Sequence, residues 1–208
     1  MTSPKQKYDS LLAQKLIIEF QKRNIEGFYY DTKEAALKAT LEMLPKGCVV
    51  SCGGSETLYE IGLRDVLKNG EYKFLDPKSV KDRVEMDRIA CEALTADYYF
   101  MSSNAISATG ELVNIDGIGN RTASLIYGPK HIIVIAGMNK VELNLKAAVH
   151  RAKHRAAQMS LLAFKSEYTS FDELSKDAES IGGQLVITSM SAIKNRIKVV
   201  LVGNSLGF

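Results

Sequence analysis

Cysteine is scarce in this chain of 208 residues. Cys48, Cys52 and Cys91 are odd in number and lie in apolar segments, which excludes a disulfide framework. The expectation is buried thiols in a reducing cytoplasm. No apolar run approaches the roughly 18 residues of a membrane span, so no membrane association is expected. The opening MTSPKQKYDS is polar and lacks the apolar centre of a signal peptide. Charge imbalance is also small, at +3, and no basic stripe interleaves with aromatics. A nucleic-acid partner is therefore not expected. Internal repeats, low-complexity tracts and a clear linker are missing too. Residues 1–208 read as one α/β domain, with a helix over 5–23 as a flanking element. Hydrophobic content of 46% and charged content of 25% are ordinary for a globular protein.

What the chain does have is alternation. Leu11, Leu12, Leu16 and Ile18 give the first helix its apolar positions. FYY follows as a short strand, and the Asp31–Glu34 pair opens a helix over 32–44. CVVSC (48–52) reads as a buried strand of a parallel sheet. Thr57 and Glu60 predict a capping box for a helix over 57–68, and YKFLD is the next strand. A helix over 79–96 then leads to the strand DYYFMSS. GELVNI reads as half of a small β-hairpin after Thr109-Gly110, and 120–127 as a short helix. HIIVIAG is a buried strand, followed by a long helix over 140–162 with Val141, Leu145, Val149, Ala152, Ala156 and Met159 on one stripe. Ser170 and Glu173 predict a further capping box, and QLVITSM and RIKVVLVG are the last strands. The pattern predicts an open, mainly parallel sheet with helices on both faces and a small β-hairpin insertion.

Two segments carry the chemistry. Gly53-Gly54-Ser55-Glu56-Thr57 lies between a buried strand and a helix. Glycines there let the backbone approach a ligand, and a helix start favours an anion. The bland alternative is a tight turn with a capped helix. Glu56 opposes an anion unless it is a catalytic acid/base or points away.

The second segment, SSNAISATGELVNIDGIGNR (102–121), is dense in Ser, Asn, Asp and Gly. Ser102, Ser103 and Asn104 follow the C-terminal end of a strand, where open α/β sheets bind ligands. Asn114, Asp116, Gly117, Gly119, Asn120 and Arg121 follow. Arg121 has the geometry to clamp a carboxylate or phosphate, and Asp116 to act as a base. The alternative is a glycine-rich hairpin satisfying its own turns.

Other motifs carry less. Gly117-Ile118-Gly119 with Thr122 imitates a dinucleotide fingerprint, but the strand before it is short and alternating, so no cofactor is expected. His150 and His154 stand at i, i+4 without the glutamate of HExxH. A solvated basic face or an oligomer contact is the expectation there, and no metal site. Asp87 shares a predicted helical face with Val84 and Cys91, which points to partial burial or a position facing the cleft, although a simple salt bridge explains it equally well.

The pieces VVSCGGSETLYEIG, YKFLD, the block from ADYYFMSSNAISATGELVNIDGIGNR to GMNKV and the tail RIKVVLVGNSLGF resemble the LUD-domain family of YkgG-like lactate-utilisation proteins. The resemblance covers most of the chain in order. It implies a NagB/RpiA/CoA-transferase-like fold and a cytoplasmic setting in lactate or organic-acid metabolism. It also implies iron–sulfur lactate-oxidation proteins as partners. Many short members carry a cysteine cluster between the long helix and the last strands. SEYTSFDELSKDAESIGGQ has none, which argues against a metal cluster here. The leading expectation is a small anionic metabolite bound in a cleft between GGSET and SSNA…DGIGNR. An isomerase- or acyl-transfer-type enzyme using Asp116 or Glu56, and a non-catalytic accessory subunit, stand beside it. The sequence leaves a homo-oligomer open.

Overall fold

Residues that alternate between two apolar faces build the centre of the molecule. Tyr98 and Phe100 point to one side of their strand, and Tyr99 and Met101 to the other, all buried. The structure, a computed structural model, describes residues 3–165 and 167–208. The strands in chain order are β1 (Glu26–Tyr30), β2 (Val49–Cys52), β3 (Lys73–Leu75), β4 (Tyr98–Met101) and β5 (Ala105–Ser107). They continue with β6 (Leu112–Asp116), β7 (His131–Gly137), β8 (Val141–Glu142), β9 (Gln184–Thr188) and β10 (Ile197–Val202).

Among the described residues, six strands form an all-parallel sheet in the order β1-β10-β7-β4-β2-β3. One face packs on α2 (Lys33–Glu42), α3 (Glu56–Glu60) and α4 (Leu63–Asn69), through Ala36, Leu58, Leu63 and Leu67. The other packs on α1 (Pro4–Gln21), through Leu16 and Phe20, and on the inner side of a second sheet, through Ile106 and Leu112. α5 (Arg83–Glu92) closes the β3 edge, where Ile89 meets Leu75.

The second sheet runs β8-β5-β6-β9, with β5–β6 and β6–β9 antiparallel. Its outer side is covered by α7 (Leu145–Arg151), α8 (Ala157–Phe164) and α9 (Phe171–Ile181). The hairpin expected as a small insertion is thus half of a four-stranded sheet. β9, read from QLVITSM, belongs to that sheet and not to the parallel one. β5 and β8 are too short for a periodic signal to reveal them.

Several boundaries differ for physical reasons. The helix expected over 57–68 breaks at Gly62, which sits in the left-handed region at φ +78°. Ser55 is the cap residue of α3, and the Thr57–Glu60 capping box does not form because the Thr57 hydroxyl is bound elsewhere. Ser170 likewise makes no side-chain cap bond. The long helix starts only at Leu145, since 138–140 is a 3₁₀ turn and Val141–Glu142 a strand. It is then widened by a π turn at Ala152–Ala156. Asp87 is exposed and pairs with Arg83 at 3.5 Å, as the salt-bridge alternative has it, and Cys91 is exposed rather than a buried thiol.

α6 (Asn120–Tyr127) stands between β6 and β7. Sheet order places β4 beside β2, and the chain leaves these neighbours in opposite directions. After β2 it turns to α3 and α4 on one face. After β4 it turns to the second sheet on the other. Such a divergence opens a crevice beyond the strand ends.

Candidate functional site

Three neighbouring strands deliver their following residues to this crevice. β2 is followed by Gly53, β4 by Ser102 and β7 by the turn that ends at Lys140. Lys140 is only 4% exposed, yet it carries an amine into the interior. Its Nζ donates to Thr57 Oγ1 at 2.9 Å and to Ser102 Oγ at 3.0 Å. Among the described residues no carboxylate forms an ion pair with it. Burial pushes its pKa down from about 10.5 to about 7, and the nearby Arg151 and Arg121 charges add to that.

Arg121 organises the wall beside it. Nε donates to Asp116 Oδ1 at 2.9 Å. Nη1 donates to the Ser102 carbonyl at 3.0 Å and to Asn114 Oδ1 at 2.7 Å. Nη2 donates to Asn104 Oδ1 and to the Ile115 carbonyl, each at 2.7 Å. All five N–H donors are therefore engaged within the chain. The other Asp116 oxygen accepts from the Thr122 amide at 2.7 Å. Asn114 is fully buried, and its Nδ2 has no hydrogen-bond partner among the described residues.

The two sequence segments do meet. A side chain at Gly53 would stand 3.3 Å from Arg121 Cδ and 3.3 Å from the Tyr99 hydroxyl. The glycine lets the arginine stem cross the loop. Gly54 is exposed beside Lys78, whose Nζ lies 3.0 Å from where a Cβ would be. Ser103 Oγ bonds the Ala105 carbonyl at 2.8 Å and the Val113 carbonyl at 3.1 Å, tying β4 to the hairpin. Thr57, Asn104, Asn114, Asp116 and Arg121 thus join Lys140 in one network.

Other predicted residues stand apart from it. Ser55 serves as a helix cap without a side-chain bond. Glu56 is exposed and forms no ion pair among the described residues. Gly117 is exposed, and Gly119 starts α6 in the left-handed region at φ +85°, held against Gln184. Asn120 is exposed on the first turn of α6.

Sequence reasoning missed Lys140. It lies three residues past the buried strand HIIVIAG, the same strand-end rule that selected Ser102. The tail was missed as well. The Asn139 side chain accepts from the Leu206 amide at 3.0 Å, and Glu60 from the Gly207 amide at 2.8 Å. Gly207, at φ +57°, passes so close that a Cβ would lie 3.3 Å from Lys140 Nζ. The tail is one wall of the site.

A model of the LUD domain matches residues 13–202. The chain belongs to the LUD-domain family. Membership places this LUD-domain protein among those related to lactate utilisation. A crystal structure of a DUF162 family protein from Deinococcus radiodurans shares its fold at a TM-score of 0.53 and 12% identity. The likeness covers 95% of this chain and 98% of that one. No curated protein matches the sequence. Among the described residues, no helix is long and apolar enough to cross a membrane, and no three His, Cys, Asp or Glu residues group to hold a metal.

Proposed function

We propose that this LUD-domain protein binds a small carboxylate of the lactate and organic-acid class between the GGSET loop and the SSNA…DGIGNR block. Lys140 is the anchor. A buried amine held by two hydroxyls has hydrogen-bond partners but, among the described residues, no carboxylate paired with it; Glu60 offsets its charge only weakly and from a distance, and a bound anion supplies the missing pair. That single observation carries the reading. The unpartnered Asn114 Nδ2, linked to Lys140 through Arg121 and Ser102, adds a second donor in the same network. Arg121 then acts by holding Asn104, Asn114 and Asp116 in place rather than as a free clamp. Lys78 guards the Gly54 side of the loop.

A second reading, an isomerase- or acyl-transfer-type enzyme, draws support from the same lysine. An amine titrating near neutrality is a competent general base, whereas both Asp116 oxygens are occupied and Glu56 faces solvent. A cytoplasmic setting, with iron–sulfur lactate-oxidation proteins as partners, belongs to the proposal.

The test is a thermal-shift panel of lactate, pyruvate, acetate and phosphate on the intact chain and on Lys140→Met. Saturable stabilisation of the wild type by a small carboxylate, absent in Lys140→Met, is the expected result. An unchanged response in the variant, or no carboxylate response in the wild type, sinks the reading.

A further inference from the structure

A second basic site adjoins this network, which its Arg151 touches at the Asn104 carbonyl. A groove of about 540 Å³ runs along α7 and the π turn. Lys146, His150, Arg151, His154 and Arg155 line it, against the single acid Glu142. None of these takes part in the proposed carboxylate site by direct contact with Lys140. The volume suits a small-molecule ligand.

The helix geometry builds this face. The π turn at Ala152–Ala156 widens the helix just after His150 and Arg151, and such turns are frequent at functional sites. The rings of His150 and His154 lie side by side, with centroids 4.5 Å apart. Arg151 forms the floor. Its side chain is 3% exposed, and Nη1 donates to the Asn104 carbonyl. Its Nε has no hydrogen-bond partner among the described residues, and Glu142 Oε1 stands 3.8 Å away. Among the described residues Arg151 makes the sole ion pair of the five basic groups, and it is a loose one. A concave surface with so large an excess of cationic and imidazole donors is short of negative charge.

We propose that this groove binds a small ligand carrying one or more phosphate groups. A phosphate presents several acceptor oxygens and more than one negative charge. It engages ammonium, guanidinium and imidazole donors at once, as a monocarboxylate does not. The exposed histidines and Lys146 reach the ligand, and the buried Arg151 supplies the field beneath it.

The probe is inorganic pyrophosphate, titrated into the 208-residue chain at constant ionic strength and followed by amide NMR. Saturable shifts confined to about residues 144–156 are expected, with Kd raised at least about tenfold in His150→Asn/His154→Asn and in Lys146→Gln/Arg155→Gln. These side chains are exposed, so the variants fold. Lys140→Met, which removes a charge coupled to Arg151 but no groove contact, is expected to change the pyrophosphate Kd by far less than tenfold, which separates this site from the carboxylate site. Shifts spread over every basic surface, equal competition by chloride, or an unchanged Kd in both double variants would overturn the proposal.

Discussion

At the scale of the residue, Lys140 is the unusual group. Its folded pKa, about 7, lies below the ordinary value of about 10.5. Between those values the unfolded chain holds a proton that the folded chain has lost. Stability conferred by folding therefore rises with pH across that window, and the burial penalty is fully present below it. Lys140→Met removes the penalty. Denaturant unfolding without added anion should show the variant more stable than wild type at pH 6, by at least about 1 kcal/mol. The gap should close as pH rises towards 10. A gap that is constant over this range, or that widens with pH, would show that Lys140 does not titrate this way.

At the scale of the element, one side chain bridges the two sheets' supports. Arg23, just past α1, donates to the Thr109 carbonyl at 2.9 Å, to the Ser189 carbonyl at 2.6 Å and to Glu111 at 2.6 Å. It fixes the β5–β6 turn, where Gly110 adopts φ +96°, and the chain beyond β9. Arg23→Ala leaves the parallel sheet intact but unties the second sheet from α1. Hydrogen exchange should then quicken in β9 and the 108–111 turn while β7 and β10 stay protected. Uniform quickening across both sheets would contradict that division.

Strands such as HIIVIAG and CVVSC were legible because a buried parallel strand writes itself as an apolar run. β5, β8 and the break at Gly62 were not, because strands of two or three residues and a single left-handed glycine leave no period. The capping box at Thr57 failed for a tertiary reason, since its hydroxyl serves a lysine 83 positions away. The convergence of Gly53 with Arg121 was legible from strand-end position. The saturation of Arg121 by internal acceptors was not, because the hairpin that supplies them folds back only in three dimensions.

At the scale of the whole molecule, the crevice follows from sheet order. β2 and β4 lie side by side while their outgoing segments part to opposite faces, and β7 adds Lys140 from the next position. The tail from Gly203 closes the outer wall through Asn139 and Glu60. Fold and family are thus joined to a chemically specific place, a buried amine with no carboxylate paired to it among the described residues. The most direct measurement is a crystal structure of the intact chain grown with saturating lactate or pyruvate. A carboxylate oxygen is expected within about 3 Å of Lys140 Nζ, between Thr57 and Ser102. A carboxylate bound only elsewhere, with Lys140 still held by the two hydroxyls alone, would contradict it.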